Sequence, residues 1–140
     1  MHLYFPFVST CFEVVASGLL DTVGLFRPLN EEQEKLTNFW IDLLKIEDVA
    51  NKQIQLCSMG HQRMALLARA LIKNPPLLIL DEPCQGLDDK QTYQFKDLVD
   101  KICRRFKTTL IYVSHYQSQV PACIEKLMEL GLKRDSNFQF

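Results

Sequence analysis

The stretch LLILDEPCQGLD, Leu77 to Asp88, decides how the chain folds. Four aliphatic residues run directly into two adjacent acids, then a proline, then a short turn that ends in a third acid. A continuous aliphatic run of this length marks a strand of a parallel sheet covered on both faces. Burial contributes about 1.5–3 kcal/mol per side chain, which predicts that Leu77–Leu80 lies at the sheet centre. Asp81 and Glu82 then emerge at the carboxyl end of the strand, where open α/β sheets place their ligands. Paired carboxylates there suit a phosphate carrying Mg²⁺: one holds the metal, usually through water, and its neighbour orients an attacking water. An N-cap acid beside an ordinary surface acid is the bland alternative. Four aliphatics ending in Asp-Glu-Pro make it the minor one.

The flanking sequence alternates helix and strand. Ser58 opens a helix predicted to run to about Ile72, apolar almost all round after Arg63 and therefore buried; Asn74, Pro75 and Pro76 break it. Asp89–Phe106 reads as a long helix with Phe95, Leu98, Val99, Ile102 and Phe106 on one side. TTLIYVSH, Thr108 to His115, reads as a second buried strand, and Leu127–Leu130 as a third strand or a final helical turn. Upstream, Leu3–Val8 is a β-prone run interrupted by Pro6, Thr10–Ser17 a short helix stopped by Gly18, and Asp21–Asn30 a connector. Asn30 with Gln33 forms a capping-box pattern for an amphipathic helix from about Glu31 to Lys45, carrying Leu36, Trp40, Leu43 and Leu44; Glu47–Lys52 adds one more turn. The predicted fold is α/β, a parallel sheet with helices preceded by a small helical subdomain.

The totals bound what this fold can do. A chain of 140 residues fits one ordinary domain and buries roughly two-thirds of its unfolded surface. With 47% hydrophobic and 24% charged residues it is globular in composition, and a formal net charge of −1 gives no signal for nucleic acid or anionic lipid. Lys101, Arg104, Arg105 and Lys107 form one basic cluster, read as the solvated face of a helix. The five cysteines are odd in number, widely spaced and free of CxxC pairs, which predicts reduced thiols in a cytosolic protein and no zinc site or cysteine nucleophile. The apolar N-terminus lacks a basic leader and is interrupted by Pro6, Ser9, Thr10 and Glu13, so no targeting signal is read there.

Two further groups join the acids. In CSMGHQR, Cys57 to Arg63, Ser58 and Gly60 stand at a helix start, where free N–H groups and the helix dipole favour an anion. A serine there is equally an ordinary N-cap. His115 directly follows the second strand, at the same sheet edge as Asp81 and Glu82. A lone histidine is more often structural, and its place beside the acids is what singles it out.

Together these residues resemble the ATP-binding cassette (ABC) ATPase family, specifically the second half of its nucleotide-binding domain. Ser58-Met59-Gly60-His61 falls where the family carries its signature loop, normally Leu-Ser-Gly-Gly-Gln. LLILDEP matches the Walker B strand, QGLD ending at Asp88 the D-loop, and His115 the switch histidine, in matching order from Thr10 to Leu130. VVASGLLDTVGLF and VSHYQSQVPACI look most similar to the molybdenum-transport or photorepair type. The resemblance implies a P-loop NTPase-like fold with a helical and signature region at about 10–72 and a Walker B, D-loop and switch-histidine region at about 73–140. It implies ATP and Mg²⁺ as cofactors, Asp81 as the Mg²⁺ ligand, Glu82 as the residue that polarises the hydrolytic water, and His115 as a γ-phosphate contact. It implies that Ser58, Met59, Gly60 and His61, with Asp88, face ATP held by a second nucleotide-binding domain. A membrane transport subunit and a cytoplasmic location, peripheral to the membrane, follow in the same way.

The sequence departs from the family in two respects. A phosphate-cradling loop needs G-x-x-x-x-G-K-[ST], whereas the five glycines, Gly18, Gly24, Gly60, Gly86 and Gly131, precede Leu, Leu, His, Leu and Leu. The expectation is a truncated cassette that is inactive alone. Met59 stands where the family has glycine, and its side chain is expected to crowd the approach of phosphate. Cys57 and His61 replace the usual leucine and glutamine. Without a P-loop strand beside it, Thr109–Ser114 is expected to leave an unpaired edge and apolar sheet surface. Two functions compete: the Walker B half of an ATPase, and a non-catalytic module that docks on an intact cassette. A DNA-repair ATPase of the same superfamily is the weaker third, since no long heptad insertion is present.

Overall fold

The structure, a computed structural model, describes residues 9–20 and 28–128. The expected strand or loop at Leu3–Val8 and most of the connector after Asp21 lie outside these residues. Helix α1 (Cys11–Ala16) is capped by Thr10, whose side chain accepts from Glu13 N while the Glu13 carboxylate accepts from Thr10 N at 2.7 Å. Gly18 does not stop the chain's helical path: a 3-10 turn, Ser17–Leu19, runs through it. Its glycine answers to packing instead, because a Cβ there would lie 2.3 Å from the Arg69 carbonyl oxygen.

Helix α2 (Glu31–Leu43) carries the capping box read from the sequence, with Asn30 Oδ1 accepting from Gln33 N at 2.8 Å. Trp40 and Ile41 are buried, but Leu36, expected on the inner stripe, is exposed. Thr37 lies inside instead, its hydroxyl satisfied by donating to Gln33 O at 2.8 Å. Two 3-10 turns (Glu47–Val49, Ile54–Leu56) lead to α3 (Met59–Leu71), and a lone antiparallel bridge between Thr10 and Gln53 ties this connection to α1. Strand β1 (Leu77–Asp81), helix α4 (Asp89–Phe106) and strand β2 (Thr109–Val113) follow, with α4 as the crossover.

The two strands are parallel, in the register Leu77↔Thr109, Ile79↔Ile111 and Asp81↔Val113. The core is one cluster reaching from Cys11, Val14 and Val15 through Trp40, Leu67 and Leu71 to Leu78, Phe95 and Val99. Trp40 meets Phe106 at 5.2 Å between ring centroids, so the helical half and the strand half share this core. Four of the five free cysteines are buried in it.

One expectation is corrected. The strands are covered on one face only: Leu78 is buried and Leu80, Leu110 and Tyr112 are half-buried, but Leu77, Ile79, Ile111 and Val113 are 45–60% exposed. In a strand alternate residues share a face, so these four form one apolar surface. The reason is that the described residues supply helices to the other side alone. The unpaired edge and apolar surface expected for β2 are present: among the described residues β2 pairs with β1 and nothing else. Leu127 and Met128 are exposed coil, and the rest of the expected Leu127–Leu130 element lies outside the described residues.

This surface should drive self-association. Light scattering of the purified chain is expected to show concentration-dependent oligomers, reduced by pairing Ile79→Lys with Ile111→Glu across the register; a monodisperse parent chain contradicts this. The core thiols make a second prediction. Burial foremost pushes Cys11 and Cys103 up to about 12 from 9.0. In the unfolded chain they ionise from about pH 9, so above that pH the unfolded state binds fewer protons than the folded state. Their contribution is full below pH 9 and is lost as pH rises towards 12. Urea midpoints are expected to fall above pH 9, and to fall less steeply once Cys11→Ala and Cys103→Ala are combined.

Candidate functional site

The structure gathers the singled-out residues into two groups. The first stands at the carboxyl edge of the parallel pair. Asp81 ends β1 opposite Val113, and the ladder is extended by Glu82 N donating to Val113 O at 3.0 Å. The chain then turns sharply, with Glu82 at φ 47° and Gln85 N donating back to Glu82 O at 3.1 Å. A non-glycine residue in this left-handed region costs about 1–2 kcal/mol, and such strain gathers at functional positions.

Beyond β2, His115 comes within 3.2 Å of Glu82, Nε2 to Oε1. This is an ion-pair distance without hydrogen-bond alignment, so the buried Glu82 Oε1 has no hydrogen-bond partner among the described residues. A buried carboxylate oxygen costs free energy until a donor reaches it. Asp81, by contrast, is exposed and offers its oxygens outward. Among the described residues no three His, Cys, Asp or Glu side chains converge as a metal cage. Mg²⁺ asks for less, taking one or two carboxylates with phosphate oxygens and water, and Asp81 beside Glu82 fits that demand.

The second group joins the start of α3 to the start of α4. Ser58 caps α3 by accepting from His61 N at 3.3 Å, and its hydroxyl also lies 3.0 Å from His61 Nδ1. With the imidazole proton on Nε2, Nδ1 accepts the serine proton and competes with any anion for it. Met59 opens α3 and is exposed. Its side chain packs on the turn before α4: a Cβ on Gly86 would lie 2.2 Å from its methyl group. Gly86, at φ 81°, is thus fixed both by backbone and by space. Gly60 packs on the Gln91 side chain, and Arg63 Nη2 donates to Gln85 O at 3.4 Å. Asp88 caps α4, accepting from Gln91 N at 2.7 Å while Gln91 Oε1 accepts from Asp88 N at 3.3 Å. Ser58, Gly60, His61 and Asp88 line one end of a cavity of about 760 Å³ between the end of α2 and α4.

Sequence reasoning missed the contacts that join these loops. Gln91 was readable, as the third residue after an aspartate cap. The Met59–Gly86 contact carried no sequence signal, since it depends on the tertiary approach of two turns. The Cys57 sulfur is held in place, 3.5 Å from that of Cys11 and donating to Gln53 O at 3.4 Å. Cys84 is likewise held, 3.2 Å from the Tyr112 hydroxyl, and burial pushes its thiol up.

Comparison with known proteins agrees with this geometry. The family model described as ABC transporter matches residues 7–85, more than half of the chain. The ABC transporter ATP-binding protein ModF of Escherichia coli (strain K12) is 38% identical over 130 residues, covering 92% of this chain and 26% of that protein. Among solved structures, MJ1267, an ATP-binding cassette of an ABC transporter, superposes with a TM-score of 0.74 at 19% identity, over 84% of this chain and 51% of that one. The dimeric bacterial ABC transporter cassette MJ0796 superposes with a TM-score of 0.66 at 26% identity, over 81% and 49%. The fold is that of these cassettes, and the chain spans about a quarter of ModF and about half of each cassette.

The caps make a direct prediction. Asp88→Ala should lower stability in urea unfolding by about 1 kcal/mol, and Asp88→Asn by much less, because asparagine also caps. Equal losses in the two variants would mean that the charge, and not the cap, is what matters at this position.

Proposed function

Because the chain belongs to the ABC transporter family, we propose that it carries the metal-binding, water-orienting and signature residues of an ATP-hydrolysing cassette coupled to transport. The observation that carries this reading is the Glu82–His115 pair at the edge of a parallel sheet, with the Asp81 carboxylate one residue away.

Each residue has a distinct task. Asp81 presents oxygens to Mg²⁺, which when bound offsets the charge of the phosphates. Glu82 uses its unpaired oxygen to accept a proton from the hydrolytic water and so aims its lone pair. His115 is exposed enough to donate to a phosphate oxygen from the other side of Glu82. Ser58 and the free amides at the start of α3 present donors to a phosphate held by a facing domain, and Asp88 stands beside them. The likeness to a dimeric cassette supports a second nucleotide-binding domain as partner. A membrane transport subunit, on the inner face of the membrane, is the further partner this reading requires. Among the described residues no helix is long and apolar enough to cross a membrane itself.

A phosphate-cradling loop has to come from outside these 140 residues, which contain no Gly-Lys pair. A second reading is a non-catalytic module that docks on an intact cassette through its Ser58–Asp88 face, where Met59 packed on Gly86 brings the two caps together. Joining the chain to the P-loop half of a relative such as ModF should produce ATP turnover, and Glu82→Gln should lower it about a hundredfold or more. Turnover unaffected by Glu82→Gln would remove Glu82 from its role. No turnover, with ATP-dependent capture of the chain by an intact cassette, would favour the docking module.

A further inference from the structure

The Glu82–His115 pair does not hold itself together. Its contact lacks hydrogen-bond alignment, and the His115 side chain is 85% exposed. The separation is set by the ladder bond from Glu82 N to Val113 O and by what lies beneath the two loops. We propose that Tyr112, acting through Cys84, is a positioning residue that holds the Glu82 and His115 loops at their working distance. The proposal rests on the ATP-hydrolysing reading above.

Tyr112 points from β2 into the covered side of the sheet and touches both loops. Its hydroxyl donates to Gln119 O at 2.8 Å, four residues beyond His115, and lies 3.2 Å from Cys84 Sγ, two residues beyond Glu82. A phenol has one proton, and a carbonyl only accepts. That proton therefore goes to Gln119, and the Cys84 thiol must donate to the phenol oxygen. The result is a directed chain, Cys84 S–H to Tyr112 O–H to Gln119 C=O, which needs both groups protonated. Burial, the largest influence on each, raises the phenol and the thiol alike.

The loop after β2 is fixed on its other side as well. Ser114 Oγ accepts from Tyr116 N at 3.1 Å and lies 3.3 Å from Gln119 Oε1, and Lys96 of α4 donates to Ser118 O. These contacts shape the loop itself. From beneath, the Tyr112–Cys84 contact ties it to the turn that carries Glu82, in addition to the ladder bond from Glu82 N to Val113 O.

The chain holds three histidines, so the His115 ring signal is readily assigned by nuclear magnetic resonance with His115→Ala as reference. Glu82→Gln should displace that signal in the parent chain. In a Tyr112→Phe background, which keeps the ring and removes one oxygen, the displacement should fall to less than half. Cys84→Ala should reduce it too, and Cys84→Ser, which retains a donor, should restore it. A purely structural Tyr112 would lower the urea midpoint and leave the displacement intact. An unchanged displacement in Tyr112→Phe overturns the proposal, as does the absence of any displacement in the parent chain. If Tyr112→Phe does not fold, Cys84→Ala decides the matter by the same criterion. In a completed, ATP-hydrolysing cassette, Tyr112→Phe should lower kcat about tenfold or more with KM little changed, and this loss should vanish in a His115→Ala background. Failure of that cassette to hydrolyse ATP would count against the functional reading and leave the resonance test of Tyr112 standing.

Discussion

The site depends on one hydrogen bond beyond the end of a ladder, Glu82 N to Val113 O at 3.0 Å. The parallel register places Asp81 against Val113, so the residues after each strand leave the sheet at the same level. The extra bond carries that pairing one residue further, to a glutamate whose backbone has already turned into the left-handed region. Two turn bonds, Gln85 N to Glu82 O and Leu87 N to Cys84 O, hold the bend that follows. A strained glutamate thus faces His115 because the ladder fixes one end of the bend and the turn fixes the other.

The second group of residues is held differently, by helix caps. Ser58 and Asp88 each accept a backbone N–H that their helix leaves unsatisfied. Their side chains would serve stability whether or not a nucleotide ever reached them. This is why the turns before α3 and α4 keep their form without a phosphate loop among these residues. It is also why a serine or aspartate in such a place is a weak functional signal by itself. What strengthens it is the tertiary contact, with Met59 packed on Gly86 and Gly60 on Gln91, which brings the two caps to one face.

The legible part of the fold was the part with local causes. Asn30 with Gln33 gave the start of α2, and the periodicity from Phe95 to Phe106 gave α4 at its observed bounds. The acids after an aliphatic run gave the sheet edge, and His115 was placed there by the strand before it. What stayed hidden depends on distant segments. Gly18 reads as a helix stop, yet it is glycine because the Arg69 carbonyl leaves no room for a Cβ. Leu36 reads as part of a buried stripe, yet Thr37 takes the inner position by satisfying its hydroxyl on its own helix. Tyr112 reads as one more strand residue, since nothing local shows that its hydroxyl meets Cys84.

The aliphatic run itself carries the last of these lessons. Leu77–Leu80 has the composition of a strand with a layer on each side, and the described residues provide a layer on one. Alternation along β1 puts Asp81 on the same side as Leu77 and Ile79, the open one. Any layer that covers Leu77, Ile79, Ile111 and Val113 therefore runs up to the carboxylate proposed to hold Mg²⁺. Covering the apolar face and delivering a phosphate to Asp81 are then a single structural requirement, because one element lying along that face satisfies both.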